Sequence, residues 1–445
     1  MWPIHPKPFI DELLSSWIAR VAHQNKIQIS KFFELALLDK SASLKEIDRT
    51  DCPDLIRRLS ENTGVPEKQI AALSLLADEA YIFNFREYGK TMWVIPTSSS
   101  TPSDRRGLAF CPDCYNEDEV AYYRKRWRYS FNPICPEHKR FLLQTCPACK
   151  NPYHYLQYAS KPLSNTDINT CNICNTKLSI VAPPETADPF VMASILDVQQ
   201  RLWSGIETGT FEVGEYKIPS LAYLRVLHSL TNTLLRPAHI KWVTEHYSAV
   251  IPEKLNMSKL IDYELYIAPP EMQRPQESGV LIYIADLLIR DWPRNFEHYF
   301  SARELKMKPF LANKLPPFWI ADSCPVISCG TTYKIAPEEK ANASSLLAKK
   351  LRRKPNPKEL LNFMQTGKVN SMAKARESHR RMVAHSPEKF TLEPNTGTSN
   401  NPYRVKQEEF RKLASVADKL GKIAVLRKSK KQPKQNQDLQ IDLFK

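Results

Sequence analysis

The sequence predicts a mainly α-helical, multi-domain protein with helix-turn-helix-like elements and a small β-containing module in its second hundred residues. Three observations carry that prediction. Apolar residues recur at helical spacing through residues 11–76 and again through 189–305. Between these stretches, residues 111–174 hold seven cysteines and a histidine in close pairs. The chain is also poor in glycine and rich in proline, with 11 Gly and 34 Pro in 445 residues. That length suits two to four domains, and the spacing of the signals places them at 1–106, 107–182, 183–343, 344–390 and 391–445.

Residues 1–106 read as helices. Asp11 is a candidate N-cap for a helix carrying Leu13, Leu14, Trp17, Ile18 and Val21. Ser30 could cap a second helix with Phe32, Phe33, Leu35 and Leu37. A third runs Pro53 to Glu61 and is broken by Gly64; Pro66 opens a fourth through Leu76. Helix, turn and helix over 53–76 outline a helix-turn-helix, but the second helix offers only Lys68 as a cation, so plain helical packing is the competing reading.

Residues 107–182 form the β-containing module. Cys111-Pro-Asp-Cys114 is followed after twenty residues by Cys135-Pro-Glu-His138. Cys146-Pro-Ala-Cys149 is followed after twenty-one by Cys171-Asn-Ile-Cys174. A C-x2-C or C-x2-H turn aims two ligands at one ion, and the longer interval returns a second pair. The result is one site of three cysteines and a histidine and one site of four cysteines, the donor sets of two tetrahedral zinc fingers. All four positions at each ion come from protein, which fits two structural Zn2+ ions and leaves no open position for hydrolysis. Between the ligands, residues 121–131 read as a strand in which Arg124, Lys125, Arg126 and Arg128 interleave with Tyr123, Trp127 and Tyr129. That mixture suits phosphate contacts and stacking, or else a solvated face beside the metal.

Residues 183–343 read as helices at 189–203, 220–235, 238–247, 278–290 and 293–305, with Leu221, Leu224, Leu227 and Leu230 at core spacing. Beyond them the spacing predicts a helix over 345–353, a second opened by Asn356-Pro357 and stopped by Gly367, and a third from about 370 to Val383. The third carries Met372, Ala375, His379, Met382 and Val383 on one stripe, with Lys374 and Arg381 facing away and Arg380 beside them. These are the parts of a helix-turn-helix; a basic helical hairpin that touches only phosphate or another protein has the same outline. The candidate nucleic-acid contacts are Arg352, Arg353, Lys354, Lys374, Arg376, Arg380 and Arg381. Residues 391–402 read as a linker, 403–427 as a helix, and 428–437 as a low-complexity basic tail.

Charge sharpens the division. Residues 345–445 hold 24 Lys and Arg against 9 Asp and Glu, which is the whole net charge of +15. A localised surplus is the footprint of a phosphate-backbone partner, with a solubilising tail as the plainer reading. The longest apolar run, Gly279 to Ile289, contains Asp286 and is too short to span a bilayer, and the start has no apolar signal segment. A soluble, cytoplasmic protein is therefore expected, in a reducing compartment where cysteines serve as metal ligands; Cys52, Cys324 and Cys329 read as inert thiols. There is no Gly-rich phosphate loop, no H-E-x-x-H and no G-x-S-x-G, so no enzymatic activity is expected.

The residues then resemble a known family. Pro6-Lys-Pro-Phe-Ile-Asp-Glu-Leu-Leu-Ser-Ser-Trp-Ile-Ala-Arg20 is similar to the start of the TniQ/TnsD family of transposition target-selection proteins. So are Cys111-Pro-Asp-Cys114 with Trp127, Cys135-Pro-Glu-His138, Leu142 and Cys146-Pro-Ala-Cys149, and so is Asp291-Trp-Pro-Arg-Asn-Phe296. The resemblance extends over about residues 1–300. It implies zinc at the two ligand groups and a bacterial, nucleoid-associated role in target selection for a heteromeric transposon. Its expected partners are double-stranded DNA and an AAA+ ATPase that recruits the transposase. Some members of this family read a fixed attachment site; others sit as dimers on an RNA-guided Cascade complex, and the resemblance leaves both roles open.

Overall fold

Helix α1 (Leu14–Gln24) buries Leu14, Trp17, Ile18 and Val21, the stripe its spacing predicts. Asp11 does not cap it. The first turn has no local side-chain cap. Its Ser15 N–H is taken instead by the Asp48 carboxylate, thirty-three residues away, at 2.9 Å. A distant acid thus satisfies an orphan donor and complements the helix dipole. The computed structural model describes residues 2–37, 44–83, 91–97, 107–156, 167–171, 173–179, 189–214, 216–247, 269–311, 317–324 and 337–360.

Helix α2 (Ile29–Leu37) begins one residue before Ser30, which lies inside it. Helix α3 (Pro53–Thr63) starts on proline, whose missing N–H costs nothing at that position, and stops at Gly64 with φ 69°. Helix α4 (Glu67–Leu73) is shorter than its apolar spacing predicts. Ser74 turns extended, and its hydroxyl accepts the Leu76 N–H to start a 3-10 turn over Leu75–Asp78.

The module contributes α5 (Pro112–Glu117) and an antiparallel pair, β1 (Ile134–Cys135) and β2 (Arg140–Phe141), in register Cys135↔Arg140. Residues 121–131 are not the predicted strand. Arg124 and Tyr129 make isolated bridges to Glu12 and Val94, and between them Lys125–Arg128 form a 3-10 turn. The reason is burial. Trp127 and Arg128 are adjacent and both fully buried, which an alternating strand with one solvated face does not allow.

Helix α6 (Pro189–Thr208) leads into the hairpin β3 (Thr210–Val213) and β4 (Tyr216–Pro219), then α7 (Ser220–Leu234) and α8 (Pro237–His246). Helix α9 (Pro275–Arg290) is buried from Pro275 to Ile289 except at Gln276, and packs against α6, α7 and α10 (Arg294–Ala302). Its Asp286 is charged yet buried; Arg201 grips it with two bonds of 3.1 and 2.8 Å. Short α11 (Met307–Phe310) and α12 (Phe318–Ser323) follow, then α13 (Pro337–Leu351), which starts eight residues before the predicted Ser345.

Buried side chains from Leu13 to Cys324 form one continuous hydrophobic core, shared by the amino-terminal helices, the cysteine-rich module and α6–α12. A smaller cluster joins Ala80 to Ala343, Leu347 and Leu360. The architecture is mainly helical, as predicted. By backbone contact the chain divides into residues 1–385 and 386–445; the second unit lies outside the described residues. No described helix is long and apolar enough to cross a membrane.

Candidate metal centres and their surroundings

Three of the four ligand pairs are built by one local turn. In each, the N–H four residues after the first cysteine donates to that cysteine's carbonyl: Lys139 to Cys135 at 2.8 Å, Lys150 to Cys146 at 2.9 Å, Asn175 to Cys171 at 2.8 Å. The residue at the fourth position has positive φ each time, 47° at Lys139, 60° at Lys150 and 58° at Asn175. Such backbone costs about 1 kcal/mol for a residue other than glycine, which the hydrogen bond closing each turn helps to offset. The remaining pair, Cys111 and Cys114, sits at the N-cap and in the first turn of α5.

These turns bring all eight sequence-predicted ligands into two groups, Cys111, Cys114, Cys135 and His138, and Cys146, Cys149, Cys171 and Cys174. Within each group the ligand atoms lie within 4.8 Å of one another. In the first, His138 Nδ1 is 3.5 Å from Cys111 Sγ and 3.4 Å from both Cys114 Sγ and Cys135 Sγ. In the second, Cys146–Cys174 and Cys149–Cys171 are each 3.7 Å apart. A tetrahedron with zinc–sulfur bonds of about 2.3 Å has sulfur–sulfur edges of about 3.8 Å. The residues present fit that figure, and both groups could bind zinc.

The electrostatics agree. The Cys111 thiol is drawn down to about 4 by hydrogen bonds from the Cys114 and Cys135 thiols. Cys114 is pushed far up by the hydrogen bonds to the same two sulfurs and by burial. Three such thiols cannot all give up their protons without a cation between them. In the second group burial pushes Cys146 up to about 12, while the Thr176 hydroxyl brings exposed Cys174 down to about 6.

A carboxylate stands behind the histidine. Glu117 Oε2 is 2.9 Å from His138 Nε2, on the side away from the sulfurs. Such a contact fixes the tautomer that leaves Nδ1 free as a ligand. Sequence reasoning missed Glu117, although its place three residues after Cys114 on α5 is the signal that could have found it.

The amino-terminal motif locks onto this module. Arg20 reaches Glu12 through two bonds of 3.0 and 2.7 Å, both side chains buried, and donates to the Lys7 carbonyl at 2.7 Å. Ser16 accepts the Tyr123 N–H at 2.9 Å, and Leu13 N–H donates to the Tyr123 carbonyl. A second tie runs through Asp48, which takes the Ser15 hydroxyl at 2.8 Å and Arg128 at 3.2 Å.

The basic residues of 121–131, whose pattern suited either phosphate contacts or a solvated face, are paired inside the chain. Arg124 pairs with Asp118, Lys125 with Asp78, Arg126 with Glu207 and Arg128 with Asp48. Arg126 also covers the Trp203 ring at 4.7 Å. Tyr123, Trp127 and Tyr129 are buried in the core rather than presented for stacking.

Of the C-terminal candidates, Arg352, Arg353 and Lys354 are exposed just after α13. Arg353 is held by Glu359 through bonds of 3.0 and 2.7 Å. Asn356 caps the next helical turn as predicted, accepting from Lys358 and Glu359 N–H while Glu359 accepts from its own N–H. Lys374, Arg376, Arg380 and Arg381, and Cys329, lie outside the described residues.

No curated protein matches the chain. A family model described as TniQ matches residues 3–142, which takes in the Glu12–Arg20 lock and the first ligand group and stops before the second. Residues 3–142 are thus a TniQ domain, and what that match says is said of this stretch of the chain.

Proposed function

We propose that the protein is a non-catalytic target-site selection factor for a heteromeric bacterial transposon. It binds DNA through its basic C-terminal region and recruits, through its amino-terminal half, an AAA+ ATPase that brings the transposase. One observation carries the reading: a TniQ domain, which implies target selection associated with transposition, in a chain whose entire cationic surplus lies beyond residue 344. The pairing of Arg124, Lys125, Arg126 and Arg128 with carboxylates supports the division of labour, because it takes these four cations away from phosphate.

Zinc is the proposed ion at both ligand groups. Cys111, Cys114, Cys135 and His138 would hold one, and Cys146, Cys149, Cys171 and Cys174 the other. With four protein ligands each, the ions would cross-link the fold.

The same pairing favours a second reading, in which the chain is a protein adaptor on an RNA-guided Cascade complex and the guide chooses the site. Retention of sheared host genomic DNA by the full chain at near-physiological salt, with sequencing of the retained fragments, separates the two. Enrichment of one locus is the expected result for direct reading. Flat, salt-sensitive retention moves site choice to a guide complex, and no retention removes DNA binding from the proposal.

A further inference from the structure

Among the described arginines, only Arg236, Arg303 and Arg352 have side chains with no hydrogen bond or ion pair. Two of these three act on the same two residues, His239 and Tyr299. Arg236 precedes α8, and Arg303 follows α10. Their charges act jointly on the pair between them, His239 Nδ1 and Tyr299 OH at 3.0 Å, where burial first and then Arg303 and Arg236 hold His239 below the usual imidazole range. Arg303 Nε is buried with no acceptor at all. Arg236 is exposed and Arg303 half-buried, so both guanidiniums are open to an anion from solvent, and a phosphate would give them the charge-assisted hydrogen bonds they lack.

The carboxylates on the same helices do not supply it. Glu245 lies 3.9 Å from Lys241, and Asp291 lies 3.5 Å from Arg294. Glu297, on α10 itself, reaches neither guanidinium.

Aromatic rings border the same place. Half-buried Trp242 stacks on exposed His246 at 4.1 Å and 20°, touches exposed His298 at 5.3 Å, and rests on Tyr299 at 5.7 Å. Tyr247 OH meets His298 Nδ1 at 3.4 Å. Unpaired arginine beside half-exposed rings is the pairing that single strands and distorted duplexes use, phosphate on the cation and base on the ring. An acidic protein would use the cations but has no need of the rings.

We propose that the α8–α10 face formed by Arg236, Trp242, His246, His298 and Arg303 is a nucleic-acid contact, with phosphate at the two arginines and a base against the aromatic cluster. It rests on the reading of the protein as a nucleic-acid-binding targeting factor, and it adds a contact outside the C-terminal region.

The test uses the full chain and fluorescently labelled duplex and single-stranded DNA, with anisotropy measured over a salt series. Arg236→Ala with Arg303→Ala is expected to weaken binding on the order of tenfold and to flatten the salt slope by about two charges' worth. Arg303→Lys keeps the charge and is expected to keep the slope. Trp242→Leu is expected to remove a fluorescence quench on single-stranded DNA. Melting temperatures of the variants check that they fold. If the double variant binds with unchanged affinity and slope while Lys374, Arg376, Arg380 and Arg381 changed to Glu abolish binding, this face is wrong and the proposed function stands. If the unaltered protein binds no nucleic acid, both fail. Binding of polyglutamate but not DNA through these arginines would make the face a protein-docking site and overturn the proposal.

Discussion

The Asp48 carboxylate lies 3.2 Å from the Arg128 guanidinium, and both side chains are 1% exposed. The pair is not isolated. Asp48 also takes the N–H and hydroxyl of Ser15 at the head of α1, and Arg128 donates to the Ile95 carbonyl through two nitrogens, at 3.2 and 3.0 Å. A single buried ion pair therefore ties the first helix to the cysteine-rich module. Breaking such a pair from one side strands a buried charge. Arg128→Met should destabilise the fold by about 3–5 kcal/mol. Chemical denaturation followed by tryptophan fluorescence checks it. A change below about 1 kcal/mol would mean that the surroundings absorb the Asp48 charge.

The second prediction concerns Glu117. If it orients His138, Glu117→Gln keeps size and packing but weakens the hydrogen bond to Nε2. Affinity for zinc at the first group should fall about 10–100-fold, with the second group unaffected. Chelator competition that resolves two ions per chain reads this directly; equal loss at both groups, or at neither, would count against the assignment.

How much of this was legible follows from what kind of force places each part. The eight ligands were readable because a C-x2-C turn is local, and local spacing survives folding. Their turns were not fully readable: Lys139, Lys150 and Asn175 take positive φ without the glycine that normally signals it, each donating its N–H to the carbonyl of the cysteine four residues before. Helices α3, α7 and α8 begin or end at prolines and a glycine that announce themselves. The cap of α1 did not, since Asp48 is remote in sequence. The 121–131 segment misled for a related reason. Its cations look like a phosphate surface until neighbouring Asp118, and Asp48, Asp78 and Glu207 from elsewhere in the chain, neutralise them.

Metal should hold the module together. Cys114 is buried, its Sγ 3.5 Å from Cys135 Sγ, and the 107–156 segment packs around α5 and the β1–β2 turn. Closed cysteine sites couple ion binding to folding. Cys114→Ser, or treatment with a strong chelator, should make residues 107–182 sensitive to protease, and the variant should lose one equivalent of zinc. A variant with full metal content and unchanged protease resistance would sink the site.

Asp11 offers a prediction with a definite pH sign. Burial raises its carboxyl from the ordinary 3.8 to about 6, against the lowering charges of Arg126, Lys125 and Arg124. A group whose pKa is higher in the folded state favours folding while it is protonated. Its contribution is fully present below about pH 3.8 and is lost as pH rises through about 6. At neutral pH the ionised Asp11 therefore works against the fold, because the charges of Arg126, Lys125 and Arg124 offset only part of its burial and Asp48 has taken the capping position. Asp11→Asn should stabilise the protein at pH 7, on the order of 1–2 kcal/mol, and bring little change near pH 4. Urea denaturation of both proteins at pH 4, 5, 6 and 7 measures the gap. A gap that widens as pH rises supports this placement of Asp11. A constant gap would mean that the carboxyl titrates as it does in the unfolded chain.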